Sequence, residues 1–228
     1  MKNTSIIVLI LCLFQLSEIT AQDISFGGIA YYQFSFKSIR TEYLILNNGD
    51  IDKSRTFSTE KQLSNFNSFG VDFRILFDKT YLTGLIITYG EKITSQYDEG
   101  NRYFNQSTNL LSIELPIFYH INFDDILFIE PGLQFVYLNG KYTEEFNMFN
   151  SQTSILEDNK DSYTSSTIAF KPAINLGSKY VKHLELIFTL TYAINSELKY
   201  DDLRWDNVES IKYNFNGFCI GIIANYSF

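Results

Sequence analysis

The chain has only 2 cysteines, 3 prolines, 2 histidines and 1 tryptophan in 228 residues, and each shortage removes a class of protein. Two cysteines do not make a disulfide scaffold. So few prolines, beside 12 glycines, exclude a collagen-like chain. The longest apolar run near the N-terminus, Ile6 to Phe14, falls far short of the roughly 20 residues that a spanning helix needs. No segment carries a convincing 3.6-residue apolar period. A cationic surplus is missing too: 18 Lys and Arg against 26 Asp and Glu leave a net charge of -8, which argues against nucleic acid as a partner. What the chain does have is 21 Phe and 16 Tyr, with 45% apolar residues and a mean hydropathy of -0.07. A disordered chain lacks so many aromatics, so one folded domain of ordinary size is expected.

The first 21 residues read as an export signal. Met1-Lys2-Asn3-Thr4 is a short basic start, the apolar run follows, and Ser17 to Ala21 is polar with a small final residue before Gln22. Cleavage after Ala21 leaves 22–228 as the mature domain, with Cys219 its single cysteine and no intramolecular disulfide. Leu11 before Cys12 is not the small residue that a lipoprotein signal requires.

In the mature chain the apolar period is two. Phe69, Val71, Phe73, Ile75 and Phe77 alternate with Ser68, Gly70, Asp72, Arg74 and Leu76, and Leu184 to Asn195 repeats the pattern. The same ruler gives eight strands, at 24–37, 67–77, 81–94, 108–121, 126–140, 163–177, 184–195 and 211–228. Long and short connections alternate between them. In an up-and-down meander that places tight turns such as Asp78-Lys79-Thr80 and Asn122-Phe123-Asp124-Asp125 at one end and the long loops at the other. The expected fold is an all-β, eight-stranded antiparallel transmembrane barrel with short periplasmic turns and long extracellular loops.

Alternation alone does not separate this barrel from a soluble one with an apolar interior. The polar parity does. A soluble barrel would carry Lys and Glu there, whereas this one carries Gly27, Ser35, Gly70, Gly84, Thr88, Ser112, Gly132, Thr189, Gly217 and Gly221. Small residues suit the narrow lumen of eight strands. Charges avoid the strands, as a lipid-facing surface requires. Tyr32, Phe36, Tyr81, Tyr89, Tyr119, Tyr137, Tyr192, Tyr226 and Phe228 fall near strand ends on the apolar parity, where interfacial girdles sit. The few strand charges lie mostly on the lumen parity. Among them Asp72, Arg74, Glu114, Glu130 and Lys171 share a height and are expected to pair across the interior, since an isolated charge there would cost several kcal/mol.

Leu111-Ser112-Ile113-Glu114-Leu115-Pro116-Ile117-Phe118-Tyr119 resembles the L-E-x-P-L-x-x-K-Y strand of small Bacteroidota outer-membrane barrels of the PorT-like or OmpX-like porin family. Phe128-Ile129-Glu130-Pro131-Gly132-Leu133 is similar to the family's next strand, although Phe118 stands where the family often has a basic residue. The terminal Tyr226-Ser227-Phe228 resembles the C-terminal signal read by the barrel-assembly machinery. The resemblance implies a cell outer-membrane location, with lipid and lipopolysaccharide as surroundings.

Signs of catalysis are few. His120 and His183 fall at the periplasmic end as turn or rim residues, away from an outer-leaflet substrate, and no phosphate loop, zinc-ligand spacing or Gly-x-Ser-x-Gly elbow occurs. No cofactor or metal is expected, since the Asn48, Asp50, Asp52 run lacks the downstream Glu of a calcium loop. Asn48-Gly49 reads instead as a hairpin turn, and Asp201, Asp202 and Asp206 beside Trp205 form an acidic surface cluster. Three function classes follow: a non-catalytic barrel acting through its acidic loops on a surface or periplasmic protein partner, a narrow passive or gated channel, and an accessory of a secretion or envelope complex.

Overall fold

The computed structural model describes residues 21–46, 48, 50–99, 102–150, 155–181, 183–201, 203 and 208–228. Of the export segment only Ala21 belongs to this set, and Asp202, Trp205 and Asp206 of the acidic cluster, with Gly49 of the hairpin turn, lie outside it. Every long element is a strand: β1 (Ala21–Ile45), β2 (Ile51–Phe77), β3 (Tyr81–Glu99), β4 (Arg102–Tyr119), the short β5 (Ile121–Asn122), β6 (Leu127–Asn150), β7 (Ile155–Val181), β8 (Leu184–Ala193), β9 (Glu197–Asp201), β10 (Val208–Asn214) and β11 (Gly217–Ser227). Neighbours pair antiparallel in the order β11, β8, β7, β6, β4, β3, β2, β1, and β1 returns to β11 from Ser25↔Ser227 to Gln33↔Cys219. That pairing closes an eight-stranded barrel, and closure removes the sheet edges that lipid could not satisfy.

Side chains alternate between lipid and lumen as the period of two demands. In β8, Leu184, Leu186, Phe188, Leu190 and Tyr192 are exposed while Ile187, Thr189, Thr191 and Ala193 are buried. Phe69 and Ile168 are each about two-thirds exposed, at 65% and 66%. A continuous apolar exterior around an interior that holds the buried charges is the inverse of a soluble barrel, and it marks a surface covered by lipid.

The girdle aromatics stand outside with one exception. Phe36 is 1% exposed and belongs to the interior, stacked on Phe215 at 5.0 Å. The parity of β1 switches between Phe34, which faces out, and Phe36, which faces in, and β2 switches at the paired positions Phe66 and Leu63. At the same height the partner of β1 changes from β11 to β10 with a shift of one residue, because Phe215 and Asn216 separate those two strands. A one-residue offset flips every side chain beyond it.

The stretches between the eight sequence-read strands are themselves mostly strand. β1 and β2 pair up to Ile45↔Ile51, β3 and β4 up to Glu99↔Arg102, and β6 and β7 up to Asn150↔Ile155. The long extracellular connections are therefore tall β-hairpins. Their walls part into two leaves, because the β2–β3 ladder stops at Ser68↔Gly90 and the β7–β8 ladder at Ala173↔Thr191, with a lone bridge at Phe170↔Ile194 beyond it. One leaf is β9, β10, β1 and β2; the other is β3, β4, β6 and β7.

Candidate functional site

From the periplasmic end upward the interior has three levels. The lowest begins at the turns. Asp78 and Lys79 both adopt positive φ, 49° and 56°, and the amide of Thr80 donates to the carbonyl of Phe77 at 2.9 Å, as in a type I′ hairpin. In the next turn the carboxylate of Asp124 accepts from the amides of Leu127 at 2.6 Å and Ile126 at 2.8 Å. These two bonds favour the charged form and lower its pKa below the usual value. Both chain ends close here too: the amide of Phe228 donates to Ile24 O at 2.9 Å, and Tyr226 and Phe228 face outward with ring centroids 5.2 Å apart. A vestibule of about 110 Å³ opens between Asp23, Ser25, Arg74, His120, Lys179 and Glu185.

The middle level carries the buried charges, in two clusters. Arg74 is 2% exposed; its Nε lies 2.5 Å from Asp72 Oδ2 and its Nη1 2.8 Å from Glu130 Oε2. Lys171 Nζ reaches Glu114 Oε1 at 2.5 Å. Tyr31 stands between the clusters. Its hydroxyl donates to Glu114 Oε2 at 3.5 Å and accepts from Gln134 Nε2 at 3.4 Å, and Lys171 Nζ sits 5.0 Å from its ring centre. The register explains the grouping: β1 residue Gly27 pairs with Asp72, Gln134 pairs with Lys171, and Glu130 pairs with Asn175, so the inward positions share one height. A Cβ at Gly27, Gly70 or Gly84 would collide with the backbone of the neighbouring strand, at Ala224, Ile87 and Phe73 respectively.

Several further members of this level are marked in the sequence by inward parity alone. His120 is buried instead of lying on the rim, with Nδ1 at 2.9 Å from Glu130 Oε1 and Nε2 at 3.1 Å from Asn122 Oδ1. Asn175 donates to Glu130 Oε2 at 2.9 Å and Asn225 to Asp72 Oδ2 at 2.9 Å. Ser112 donates to Glu114 Oε1 at 2.8 Å. The neutral asparagines and the serine lie on the inward parity, and that parity together with the acidic partners was the only available cue. His183 stays at the surface, its Nδ1 3.0 Å from Ser227 O. Cys219 is buried in the lumen.

The upper level is an apolar plug. Phe36, Phe66, Leu110, Leu138, Tyr142, Leu198, Tyr200, Ile211, Tyr213 and Phe215 bury one another across the mouth. Leu198, Tyr200, Ile211 and Tyr213 come from the β9–β10 hairpin, with Phe215 just after it, and this hairpin bends inward at Asn195, where φ is 60°, and at Asn216-Gly217, where the glycine has a φ of 141°. The bend is pinned by the Ser196 amide and hydroxyl, which donate to Asn216 Oδ1 at 2.8 and 2.9 Å, and by Gln33 Nε2, which donates to Phe215 O at 2.5 Å. A cavity of about 40 Å³ lies between plug and charges.

No protein-family model matches the chain, and no curated protein sequence matches it. Solved structures with a similar fold include Ail, the attachment invasion locus protein of Yersinia pestis, at 14% identity and a TM-score of 0.45 over 92% of this chain and 100% of that one. They also include the outer membrane protease OmpT of Escherichia coli, at 12% identity and 0.43 over 92% and 98%. OprG of Pseudomonas aeruginosa matches at 11% identity and 0.42 over 92% and 97%. The likeness is one of barrel architecture. With its own apolar exterior and closed sheet, the chain is an integral membrane β-barrel of the outer-membrane kind.

Proposed function

We propose that this chain is a non-catalytic barrel of the cell outer membrane, exported by its N-terminal signal, which keeps its lumen shut and acts outside the cell through its tall β-hairpins. The observation that supports this reading most is the stacking of an aromatic plug on buried ion pairs, with about 40 Å³ of space between them. A channel needs a continuous wet path, and two successive obstructions oppose one. The role of Asp72, Arg74, Glu114, Glu130 and Lys171 is then to fill and brace the barrel. Tyr226 and Phe228, on the lipid face beside the closing strand, fit a terminal signal for the barrel-assembly machinery. Kinship with PorT-like or OmpX-like barrels rests on the segments around Glu114 and Glu130, both of which turn inward. Lipid and lipopolysaccharide surround the belt, and a protein partner would meet the hairpins. Planar-bilayer recording of the folded protein tests the reading: no steady conductance is expected, and reproducible single-channel steps would replace it with the gated-channel reading.

A further inference from the structure

Where the two leaves part, a cleft of about 260 Å³ opens above the plug. Its first wall carries Ser38, Arg40 and Glu42 of β1 and Thr59 and Lys61 of β2, its far wall is Gln106 of β4, and Leu63, Ile211 and Tyr213 form its floor. The charges in it are unequal. Arg40 Nε is ion-paired with Glu42, and Glu60, the acid next to Lys61, turns to the outer face and pairs with Lys37 at 2.6 Å. Among the described residues no carboxylate lies within ion-pair distance of Lys61. A cation without a counter-charge at the lip of a concavity attracts an anion. The rest of the lining is not that of a bare anion spot. Ser38 and Thr59 present hydroxyls on the paired strands beside it, since Ser38 is opposite Lys61 and Arg40 opposite Thr59, and the Tyr213 ring and the Ile211 side chain give an apolar face.

We infer that this cleft binds a single acidic sugar unit: Lys61 takes the carboxylate, Ser38 and Thr59 bond to ring hydroxyls, and the Tyr213 and Ile211 floor meets the sugar's C–H face. The volume lies just under the roughly 300–1,000 Å³ typical of small-ligand pockets, so the site accepts one ring and not a chain of them. The Tyr142 hydroxyl donates to Glu144 at 2.5 Å and Gln106 to the same carboxylate at 3.2 Å, which ties the far wall to the plug and fixes the width of the slot. The inference rests on the extracellular placement of the hairpins proposed above.

The test is calorimetric titration of the full mature chain, folded in a zwitterionic detergent without a sugar headgroup, with glucuronate, with glucose and with inorganic phosphate at constant ionic strength. Saturable, millimolar binding of glucuronate is expected, with weaker binding of glucose and of phosphate. Lys61→Gln should weaken glucuronate about fivefold and leave glucose unchanged, while the variant keeps the gel shift of the folded barrel. Competition by lipopolysaccharide from the producing cell assigns the sugar to its own envelope, and its failure to compete assigns it to a glycan met outside; either supports the site. Equal binding of phosphate and glucuronate, or no saturable binding by a protein that still shows the folded gel shift, overturns the inference while leaving the barrel reading intact. Loss of the gel shift in the unmodified chain would instead strike the barrel reading itself.

Discussion

At the scale of single residues, the buried charges make the sharpest demands. Lys171 and Glu114 lie in contact with little water around them, so removing one partner leaves an uncompensated charge. Lys171→Ala should cost about 3–5 kcal/mol in urea unfolding from micelles, whereas the double change Lys171→Met with Glu114→Leu should be neutral or stabilising. Equal losses in the single and double variants would contradict the pairing. Asp124 gives a pH signature. Its folded pKa is depressed by the Leu127 and Ile126 amides, so its contribution is present above the ordinary carboxylate pKa and fades as pH falls through the depressed value. The protection of the Ile126 and Leu127 amides against exchange, taken relative to the intrinsic rate at each pH, should therefore fall on acidification, and Asp124→Asn should flatten that dependence. Lys79 occupies a left-handed conformation without being glycine, which costs about 1 kcal/mol; Lys79→Gly should raise the urea midpoint without changing the slope. Which residues carry charge into the lumen was legible because parity is a property of the local sequence. His120 continues the inward parity of Ser112, Glu114 and Phe118, so its burial was legible in the alternation of strand 108–121, but its place beside the tight turn suggested the rim; what the local sequence does not show is the Glu130 carboxylate that holds the ring inside.

At the scale of elements, the strand count could be read and the strand lengths could not. A lipid-facing segment announces itself through greasy alternation, but 51–66 and 141–162 are polar on both faces and resemble loops. Their described parts, 51–66, 141–150 and 155–162, stay in strand because a hairpin partner is already in register beside them, as Leu127↔Ser178 continues without a shift to Asn150↔Ile155. The switch that turns Phe36 inward depends on a one-residue offset between β10 and β11, about 180 residues away in the chain and invisible in the local pattern. The inward bend of β9–β10 likewise needs a glycine on the opposite wall. A Cβ at Gly140 would collide with Tyr200 Oη and Leu198 Cδ1, so Gly140→Val should push the hairpin off the mouth at a cost of about 1–3 kcal/mol. Limited proteolysis should then cut within 197–214 while the remaining barrel keeps its protease resistance. A variant cleaved no faster than the parent would show that the hairpin does not lean on β6.

At the scale of the whole molecule, the near-zero mean hydropathy is an average over two incompatible surfaces. One is an exterior of Phe69, Ile168, Leu186, Ile222 and their neighbours, exposed in the isolated chain; the other is an interior where ion pairs, amides and hydroxyls are packed between apolar clusters. Water cannot cover the first without a penalty of roughly 25 cal/mol for each Å² of apolar area, and lipid covers it without loss. The same inversion accounts for the acidic surplus, which is left to the extracellular hairpins and turns because the belt has no place for it. The measurement that tests this most directly is the mobility of the detergent-purified mature protein on a gel, run unheated and boiled. A compact unheated band that shifts on boiling is expected, with precipitation when detergent is withdrawn. A monodisperse, folded monomer in detergent-free buffer, with one mobility at both temperatures, would contradict it.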